Sequence, residues 1–440
     1  MSEERLRSAT TLVRSVPLPR PIGRVSQVVG TIIEVRGLRA SVGDICWILA
    51  EGGRREVTAE VVGFRDEALL LMPFDDLHGV APGQRVTTRN QSFRVPVGPE
   101  LLGRVIDAFG RPLDGGPPVE TREHAGSKPR IPHAMERQRV ELPQQTGVRA
   151  IDAFVPCARG QRVGIMAGSG VGKSVLLGMI SRHSDADVNV VGLIGERGRE
   201  VREFVEEDLG PEGLARSVVV VATSDQSPVL RVRAAQTTMA IGEWFRDRDH
   251  NVMMVMDSVT RFAMAQREIG LAVGEPPATR GYPPSTFAVL AKLLERAGTS
   301  AMNAMTAFFT VLVEGDDLQD PVGDAVRSIV DGHIVLSRDL ARKGHYPAID
   351  VMGSVSRLAS TVATPDQLEH ARRLSHLLKI LEDNEDLVNI GAYTRGTNPD
   401  LDRALDLRKR IDEFLRQGLT DHVPIETTRE ILAGLAEAAG

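Results

Sequence analysis

The sequence has little of what several classes of protein need. Its 440 residues include only two cysteines, Cys46 and Cys157, so it holds neither a disulfide framework nor the spacing of a zinc site. No apolar run approaches the roughly 18 residues that span a bilayer, and the first residues lack the apolar core of a signal peptide. A formal net charge of −6 argues against a protein that coats nucleic acid, although it permits a local basic groove. We therefore expect an intracellular protein of the reducing cytosol.

What the sequence does contain is a glycine-rich stretch around which the chain is organised. An apolar run at residues 163–166 precedes it and an apolar helical pattern follows it, which predicts a strand, a tight turn and a helix. Glycines let backbone N–H groups curl around a phosphate, and the helix N-terminus adds partial positive charge there. The predicted nucleotide phosphate site consists of Ala167, Gly168, Ser169, Gly170, Val171, Gly172, Lys173, Ser174 and Val175.

Two side chains of this stretch carry specific chemistry. Lys173 would reach the β- and γ-phosphates of ATP, and the hydroxyl of Ser174 would ligate Mg²⁺. The motif begins with Ala167 where the strict pattern has glycine, so the match is to the version that tolerates alanine. The alternative is a loop that only turns the chain, but a Gly-Lys-Ser triplet at a strand-to-helix junction favours phosphate binding.

The pattern of residues divides the chain into four parts. Residues 1–22 show apolar residues at helical spacing before a series of prolines, which suits either a solvated tail or a partner-binding amphipathic helix. Residues 23–97 hold short β-rich runs between Gly and Pro, which predicts a small antiparallel barrel. Residues 98–360 contain the nucleotide motif, and residues 361–440 have a helical, charge-rich pattern that predicts a separate helical domain.

Apolar strands alternate with helical stretches from about residue 146 to residue 350. This alternation predicts an α/β core, with a parallel sheet covered by helices on both faces. The predicted strands of the core are 163–166, 188–194, 217–222, 252–257, 306–313 and 332–336, and the predicted runs of the barrel are 25–35, 45–49, 57–64, 68–72 and 85–88.

Two acidic residues follow predicted strands and are candidates for the chemistry of hydrolysis. Asp257 ends an apolar strand, where its carboxylate would hold a water of the Mg²⁺ shell. Glu196 follows another strand, where it would orient and polarise the attacking water. Glu200 competes by proximity, but it lies one helical turn further on and would suit a cap or an arginine partner. Buried strands often end in aspartate, and surface acids are usually solvated, so these two positions alone are weak signals.

Several stretches resemble the catalytic subunits of rotary ATPases, namely the glycine-rich stretch, GER at 195–197 and DSVTRF at 257–262. Others resemble more narrowly the type III protein-export ATPases, namely ATSDQSP at 222–228, RFAMAQREIG at 261–270, GEPPATRGYPPS at 274–285, VEGDD at 313–317 and DGHIVLSR at 331–338. The flagellar branch fits best, through DAVRSI at 324–329 and NIGAY at 389–393. The resemblance covers residues 23–440.

The resemblance implies roles for individual residues. Glu196 matches the glutamate that activates water, and Asp257 matches the carboxylate that holds the metal. Arg197 and Arg261 match arginines near the γ-phosphate. Tyr346 matches an aromatic residue that stacks near adenine, although a packed residue before a turn proline is an equally good interpretation of it.

Arg357 matches an arginine finger that is donated to the neighbouring subunit's site. Full activity would then require a closed ring, by family likeness a homohexamer. The resemblance also implies ATP and Mg²⁺ as ligands, a stator-like regulator and a central-stalk protein as partners, and export chaperones and substrates. It implies a cytoplasmic protein in peripheral contact with an inner-membrane export gate, with no nucleic-acid partner.

Four alternative functions remain to be weighed. A non-catalytic nucleotide-binding ring subunit would carry an inert residue in place of Glu196. An RNA translocase would need stacking aromatics and basic tracks in the barrel, which offers only Trp47, Phe64, Phe74 and Phe93. A rotary proton-pump subunit lacks support in the export-type motifs. The ATPase of a virulence-type secretion system is the closest alternative to the flagellar branch.

Overall fold

The computed structural model describes residues 22–49, 56–126, 131–313 and 320–439. The possible N-terminal helix lies outside the described residues, as does most of the VEGDD motif, so both stay predictions. The chain forms two compact units, of which the first runs to Phe93 and takes in Ala272–Gly274. The second comprises Arg94–Leu271 and Glu275–Gly440. The bounds of the four parts that the sequence suggests also stay predictions.

The first unit contains a closed barrel of six antiparallel strands in the order β1-β2-β5-β4-β3-β6. The strands are β1 (Ile22–Val29), β2 (Ile32–Arg36), β3 (Asp44–Leu49), β4 (Glu56–Arg65), β5 (Ala68–Pro73) and β6 (Arg85–Ser92). Alternate side chains of β4 (Val57, Ala59 and Val61) are buried, as expected for a strand with one face in a core. The barrel prediction is confirmed, but the run 25–35 is two strands, because Gly30 turns the chain with φ of 58°.

The second unit is built on a large sheet. The remaining strands are β7 (Arg94–Val97), β8 (Arg104–Asp107), β9 (Glu123–Gly126), β10 (Pro143–Gln144), β11 (Cys157–Ala158), β12 (Arg162–Ala167), β13 (Val188–Glu196), β14 (Ser217–Thr223), β15 (Val252–Asp257), β16 (Gly298–Thr299), β17 (Ala304–Leu312), β18 (Gly332–Leu336) and β19 (Ile349–Ser356). The sheet order is β19-β18-β12-β17-β15-β13-β14-β8, with β16 paired to β17. The pairs β7–β9 and β10–β11 form separate two-stranded sheets.

The predicted parallel core is confirmed, with two additions. All six predicted strands are present and run parallel to one another. The edge strand β19 is antiparallel to β18, and the short β16 is antiparallel to β17. The pattern missed β8 because it is four residues long. It missed β19 because apolar and polar residues are mixed in that strand, which is interrupted by Gly353 and mostly lies outside the core.

Helices cover this sheet and form the C-terminal region. They are α1 (Arg149–Phe154), α2 (Lys173–His183), α3 (Gly198–Glu203), α4 (Gly210–Ala215), α5 (Pro228–Arg246), α6 (Val259–Val273), α7 (Pro284–Leu294), α8 (Pro321–Ile329), α9 (Arg338–Arg342), α10 (Ala359–Val362), α11 (Pro365–Asp383), α12 (Glu385–Asn389), α13 (Pro399–Leu415) and α14 (Ile425–Ala439). A π-helical turn, Phe204–Leu209, joins α3 to α4, and short 3-10 turns occupy Pro99–Leu101 and Thr279–Gly281. Within the described ranges, no helix is long and apolar enough to cross a membrane.

The C-terminal helical domain is confirmed. Helices α11, α13 and α14 pack against one another and against α1. Capping residues start two of them: the side chain of Thr364 accepts from the backbone N–H of Gln367, and that of Asn398 accepts from Asp400 and Leu401. These caps satisfy donors that the first helical turn leaves free.

A buried ion pair ties α5 to the end of α7. Nε and Nη2 of Arg296 each donate to a different carboxylate oxygen of Glu243 at 2.7 Å, and the side chains are 3% and 14% exposed. By contrast, Arg342 and Asp339 form an ion pair with side chains 71% and 79% exposed.

We expect Arg296→Ala to destabilise the protein by about 3–5 kcal/mol, because it leaves a buried carboxylate without its cation. Arg342→Ala should change stability by no more than about 1 kcal/mol, since exposed pairs contribute little. Thermal and denaturant unfolding of both variants measures the difference, and equal midpoints for the two would contradict it.

Candidate active site

The glycine-rich loop connects β12 to α2, as the sequence predicts. Gly170 and Gly172 have φ values of 76° and 84°, which L-residues with side chains rarely adopt. Lys173 and Ser174 form the first turn of α2, whose backbone N–H groups point back towards the loop. The loop is therefore shaped to hold an anion at the N-terminus of the helix.

Lys173 lies between two acidic side chains. Its Nζ is 2.5 Å from Oδ1 of Asp257 and 3.4 Å from Oε1 of Glu196. Burial disfavours the charged ammonium, but the carboxylates of Asp257 and Glu196 outweigh this and raise the pKa of Lys173. The lysine is therefore held as a cation, ready to meet phosphate oxygens.

Asp257 stands at the end of β15, and its side chain is only 3% exposed. Besides the bond from Lys173, Oδ1 accepts a hydrogen bond of 2.7 Å from the hydroxyl of Thr310 on the adjacent strand β17. Both bonds go to one oxygen, and this fixes the orientation of the carboxylate.

Glu196 ends β13, which pairs with β15 so that Leu193 lies beside Asp257. Burial, and then the charge of Asp257, raises the pKa of Glu196 to about 7, although Lys173 acts in the opposite direction. Gly195 precedes it with φ of 75°, and a Cβ there would lie 2.8 Å from Cβ of Arg261. Only glycine fits this position, so Gly195 sets the direction in which Glu196 leaves the strand.

The two arginines near these acids differ in their surroundings. Arg197 precedes α3, its side chain is 77% exposed, and its Nη1 lies 3.3 Å from Oε1 of Glu200. Arg261 packs against Gly195, and its buried Nε has no hydrogen-bond partner among the described residues. Arg261 is thus close to the acidic pair with donor capacity to spare, whereas Arg197 is directed to solvent.

Tyr346 lies directly against the glycine-rich loop. A Cβ placed on Gly172 would come within 3.3 Å of Cδ1 and Cε1 of the Tyr346 ring. The side chain is partly exposed, and its backbone oxygen accepts a hydrogen bond of 3.0 Å from N–H of Gln417 in the segment after α13. An aromatic surface therefore borders the phosphate loop, as an adenine site would require.

Arg357 lies at the opposite end of the parallel strands from the glycine-rich loop. Its N–H donates to O of Asp331, and the side chain of Asp331 binds Arg162 at the start of β12. The phosphate loop begins after Ala167, at the other end of this six-residue strand, roughly 17 Å away. Arg357 is exposed and directs Nη2 to O of Arg327 at 3.2 Å. It cannot contribute to the phosphate site of its own chain.

The oxygen ligands of this site suit magnesium. Ser174 offers a hydroxyl in the first turn of α2, and Asp257 offers a carboxylate oxygen, Oδ2, that is not used by Lys173 or Thr310. The described residues contain no cluster of three or more His, Cys, Asp or Glu that could enclose a metal. Mg²⁺ fits such a site because it takes few protein ligands and completes its shell with water and phosphate oxygens.

The structure brings most of the predicted site residues together, and it adds others. The predicted residues gather where the parallel strands end, as the register of the strands and the loop contacts require. They are Lys173, Ser174, Glu196, Asp257 and Tyr346. The sequence assigned no role to Thr310, and it named Gly195 only within the GER motif. A hydroxyl in the apolar run of β17, and a glycine directly before a candidate catalytic acid, are the signals that could have revealed them.

Comparisons with known proteins support the same fold and identify the family. Family models described as the nucleotide-binding domain and the beta-barrel domain of the ATP synthase alpha/beta family match residues 147–356 and 25–89. A third, described as the T3SS EscN ATPase C-terminal domain, matches residues 363–434. A solved structure of the assembled ATPase EscN, from the type III secretion system of enteropathogenic E. coli, has a TM-score of 0.88 at 42% identity, covering 94% of this chain and 100% of that one.

Curated relatives are similar over nearly their whole length. The flagellum-specific ATP synthase of Bacillus subtilis is 50% identical, with 95% of each chain covered. That of Salmonella typhimurium is 48% identical, with 95% of this chain and 94% of the relative covered. The type 3 secretion system ATPase of Xanthomonas euvesicatoria is 47% identical, with 98% of each covered. The chain therefore belongs to the type III protein-export ATPases of the ATP synthase alpha/beta family, which makes it a nucleotide-binding ATP hydrolase.

Proposed function

We propose that this ATPase hydrolyses Mg²⁺-ATP at the subunit interfaces of a homohexameric ring and energises flagellar protein export. The observation that carries the proposal is the separation of Arg357 from the phosphate loop of its own chain, by roughly 17 Å along β12. An arginine that completes such a site must then come from a neighbour. A relative of this fold is known as the "assembled" ATPase EscN and in complex with a central stalk, which supports a ring with a stalk partner here.

In the proposed reaction, each residue acts on a stated group. The loop N–H groups and Lys173 bind the β- and γ-phosphates. Ser174 and Asp257 would hold Mg²⁺, which would supply positive charge beside the phosphate oxygens. Glu196 accepts a proton from the attacking water, because its carboxylate lies beside Lys173 where the γ-phosphate would enter. Arg261 and the neighbour's Arg357 stabilise the charge that develops in the transition state, with Arg197 as a more distant contributor. Tyr346 stacks near adenine.

The flagellar assignment rests on similarity. Relatives named flagellum-specific ATP synthases reach 50% and 51% identity to this chain. The second candidate, export by a virulence-type secretion system, is favoured by the 47% identity of the Xanthomonas protein. In either system we propose a cytoplasmic ATPase that contacts a membrane export gate, a stator-like regulator, export chaperones and their substrates.

The two systems can be separated in cells. A Lys173→Ala strain should assemble no flagella and lose swimming, because the lysine is needed to bind the phosphates productively. Electron microscopy of filaments and assays of secreted proteins provide the measurement, with a plasmid-borne wild-type copy as the control. Intact swimming with lost effector secretion would assign the chain to the virulence-type system instead.

Glu196→Gln should lower kcat by about a hundredfold or more, with ATP binding nearly unchanged, because the amide cannot accept the proton. In the wild type, kcat should fall as the pH drops below about 7, because Glu196 has a raised pKa and must be ionised to act as a base. Steady-state turnover and binding of a fluorescent ATP analogue, each from pH 5.5 to 8.5, test both statements. Turnover of Glu196→Gln at the wild-type rate would identify a non-catalytic subunit.

Arg357→Ala should bind ATP normally and lose about a thousandfold or more in turnover, the usual contribution of an arginine finger. Mixing it with Lys173→Ala subunits should restore part of the activity, since some interfaces then combine an intact phosphate loop with an intact finger. ATPase assays of the separate and mixed variants, with assembly checked by light scattering, test this. No recovery on mixing, in rings that do assemble, would show that Arg357 does not act across the interface.

A further inference from the structure

One fully buried amide contacts both groups that fix the backbone of Arg357. Gln161 precedes β12 and is 0% exposed. Its Nε2 donates to O of Asp331 at 3.1 Å and to the hydroxyl of Ser356 at 3.1 Å. The same oxygen of Asp331 accepts the backbone N–H of Arg357 at 2.9 Å. Gln161 therefore touches the acceptor of Arg357 and the side chain of the residue before it.

Every hydrogen-bonding atom in this arrangement is used. Oε1 of Gln161 accepts from N–H of Ala158 at 2.8 Å, so both donors of Nε2 are available for Asp331 and Ser356. The hydroxyl of Ser356 in turn donates to O of Pro156 at 2.8 Å. A fully satisfied, partly buried network of this kind holds its members in one geometry.

The packing leaves no room for the end of β19 to shift inward. Gly332 lies opposite Ser356 in the register of β18 and β19. A Cβ on Gly332 would meet O of Val355 at 2.5 Å, Cα of Ser356 at 3.0 Å and Nε2 of Gln161 at 3.3 Å. Gly332 lets the backbone of β19 pack closely against β18, and the Gln161 amide holds the two strands in this position by its hydrogen bonds to Asp331 and Ser356.

We propose that Gln161 and Ser356 are positioning residues for Arg357, setting the point at which its guanidinium leaves the sheet for the neighbouring subunit. This inference rests on the proposed trans role of Arg357. It adds the requirement that the backbone at the end of β19, from which the Arg357 side chain extends, is held rigidly. A flexible guanidinium on a mobile strand end would lose the orientation that transition-state stabilisation needs, and misplacement by about 1 Å can cost a hundredfold in rate.

The test uses the full-length assembled protein with Gln161→Met and Ser356→Ala. Both should lower kcat about tenfold to a hundredfold, with the KM for ATP and the binding of a fluorescent ATP analogue unchanged, because the phosphate loop lies at the other edge of the sheet. Ser356→Thr, which keeps the hydroxyl, should retain wild-type turnover. Ser356→Ala provides the answer by itself if Gln161→Met does not fold.

Ser354→Ala is the matched control. Ser354 is on the same strand, accepts from N–H of Val335 at 3.0 Å and donates to O of Asp350 at 2.5 Å. Unlike Ser356, its hydroxyl takes no hydrogen bond from Gln161. Its loss should cost a similar amount of stability and leave kcat unchanged. An equal loss of kcat in Ser354→Ala and Ser356→Ala would overturn the inference, because general loosening of β19 would then explain both.

Double variants separate this inference from the proposed function. If Gln161 acts through Arg357, then Gln161→Met combined with Arg357→Ala should turn over as slowly as Arg357→Ala alone. Losses that multiply would mean that Gln161 acts independently and would overturn the inference while leaving the finger intact. Wild-type kcat in both Gln161→Met and Ser356→Ala would also overturn the inference and leave the proposed role of Arg357 intact. Full activity of Arg357→Ala would remove the finger itself and the inference with it.

Discussion

The ammonium group of Lys173, enclosed between the carboxylates of Asp257 and Glu196, is the interaction on which the site depends. The three residues come from the loop after β12 and from the ends of β15 and β13. They meet only because these strands run parallel, with β17 between β12 and β15, and so end at one edge. In so buried a place, removal of one charge leaves the others uncompensated. The sheet and the glycine-rich turn therefore have to be formed accurately before any nucleotide arrives.

Much of this arrangement is legible in the sequence, for a physical reason. Strands such as β13 and β15 are buried on both faces, so they read as continuous apolar runs, and the polar residue that ends each run marks the sheet edge. Edge strand β19 offers no such signal, because it mixes apolar and polar residues, exposes Met352 and Val355, and contains a glycine. Thr310 was also hidden, since one hydroxyl among apolar neighbours of β17 does not reveal which carboxylate it faces.

The arginines illustrate what only the fold can decide. Arg197 and Arg261 both follow strands that end at the site, and the resemblance placed both near the γ-phosphate. In the structure Arg197 pairs with Glu200 in solvent, while Arg261 packs against Gly195 with a buried Nε that lacks a partner among the described residues. Spacing along the chain could not separate them. The difference arises because Gly195 leaves the volume that the Arg261 side chain occupies.

The reversal of β19 has a consequence for a ring of such chains. This strand begins just after Tyr346, beside its own phosphate loop, and ends just before Arg357, at the far edge of the sheet. One eight-residue strand thus runs from the phosphate site of its own subunit towards the residue that would complete the site of the neighbouring subunit. In a closed ring built this way, each subunit would receive an arginine at its own phosphate site from one neighbour and would supply Arg357 to the site of the other neighbour. The order of supply would run in one direction around the ring. If Arg357 acts across the interface as proposed, a substitution beside Tyr346 would inactivate the subunit's own site, and a substitution beside Arg357 would inactivate the site of its neighbour.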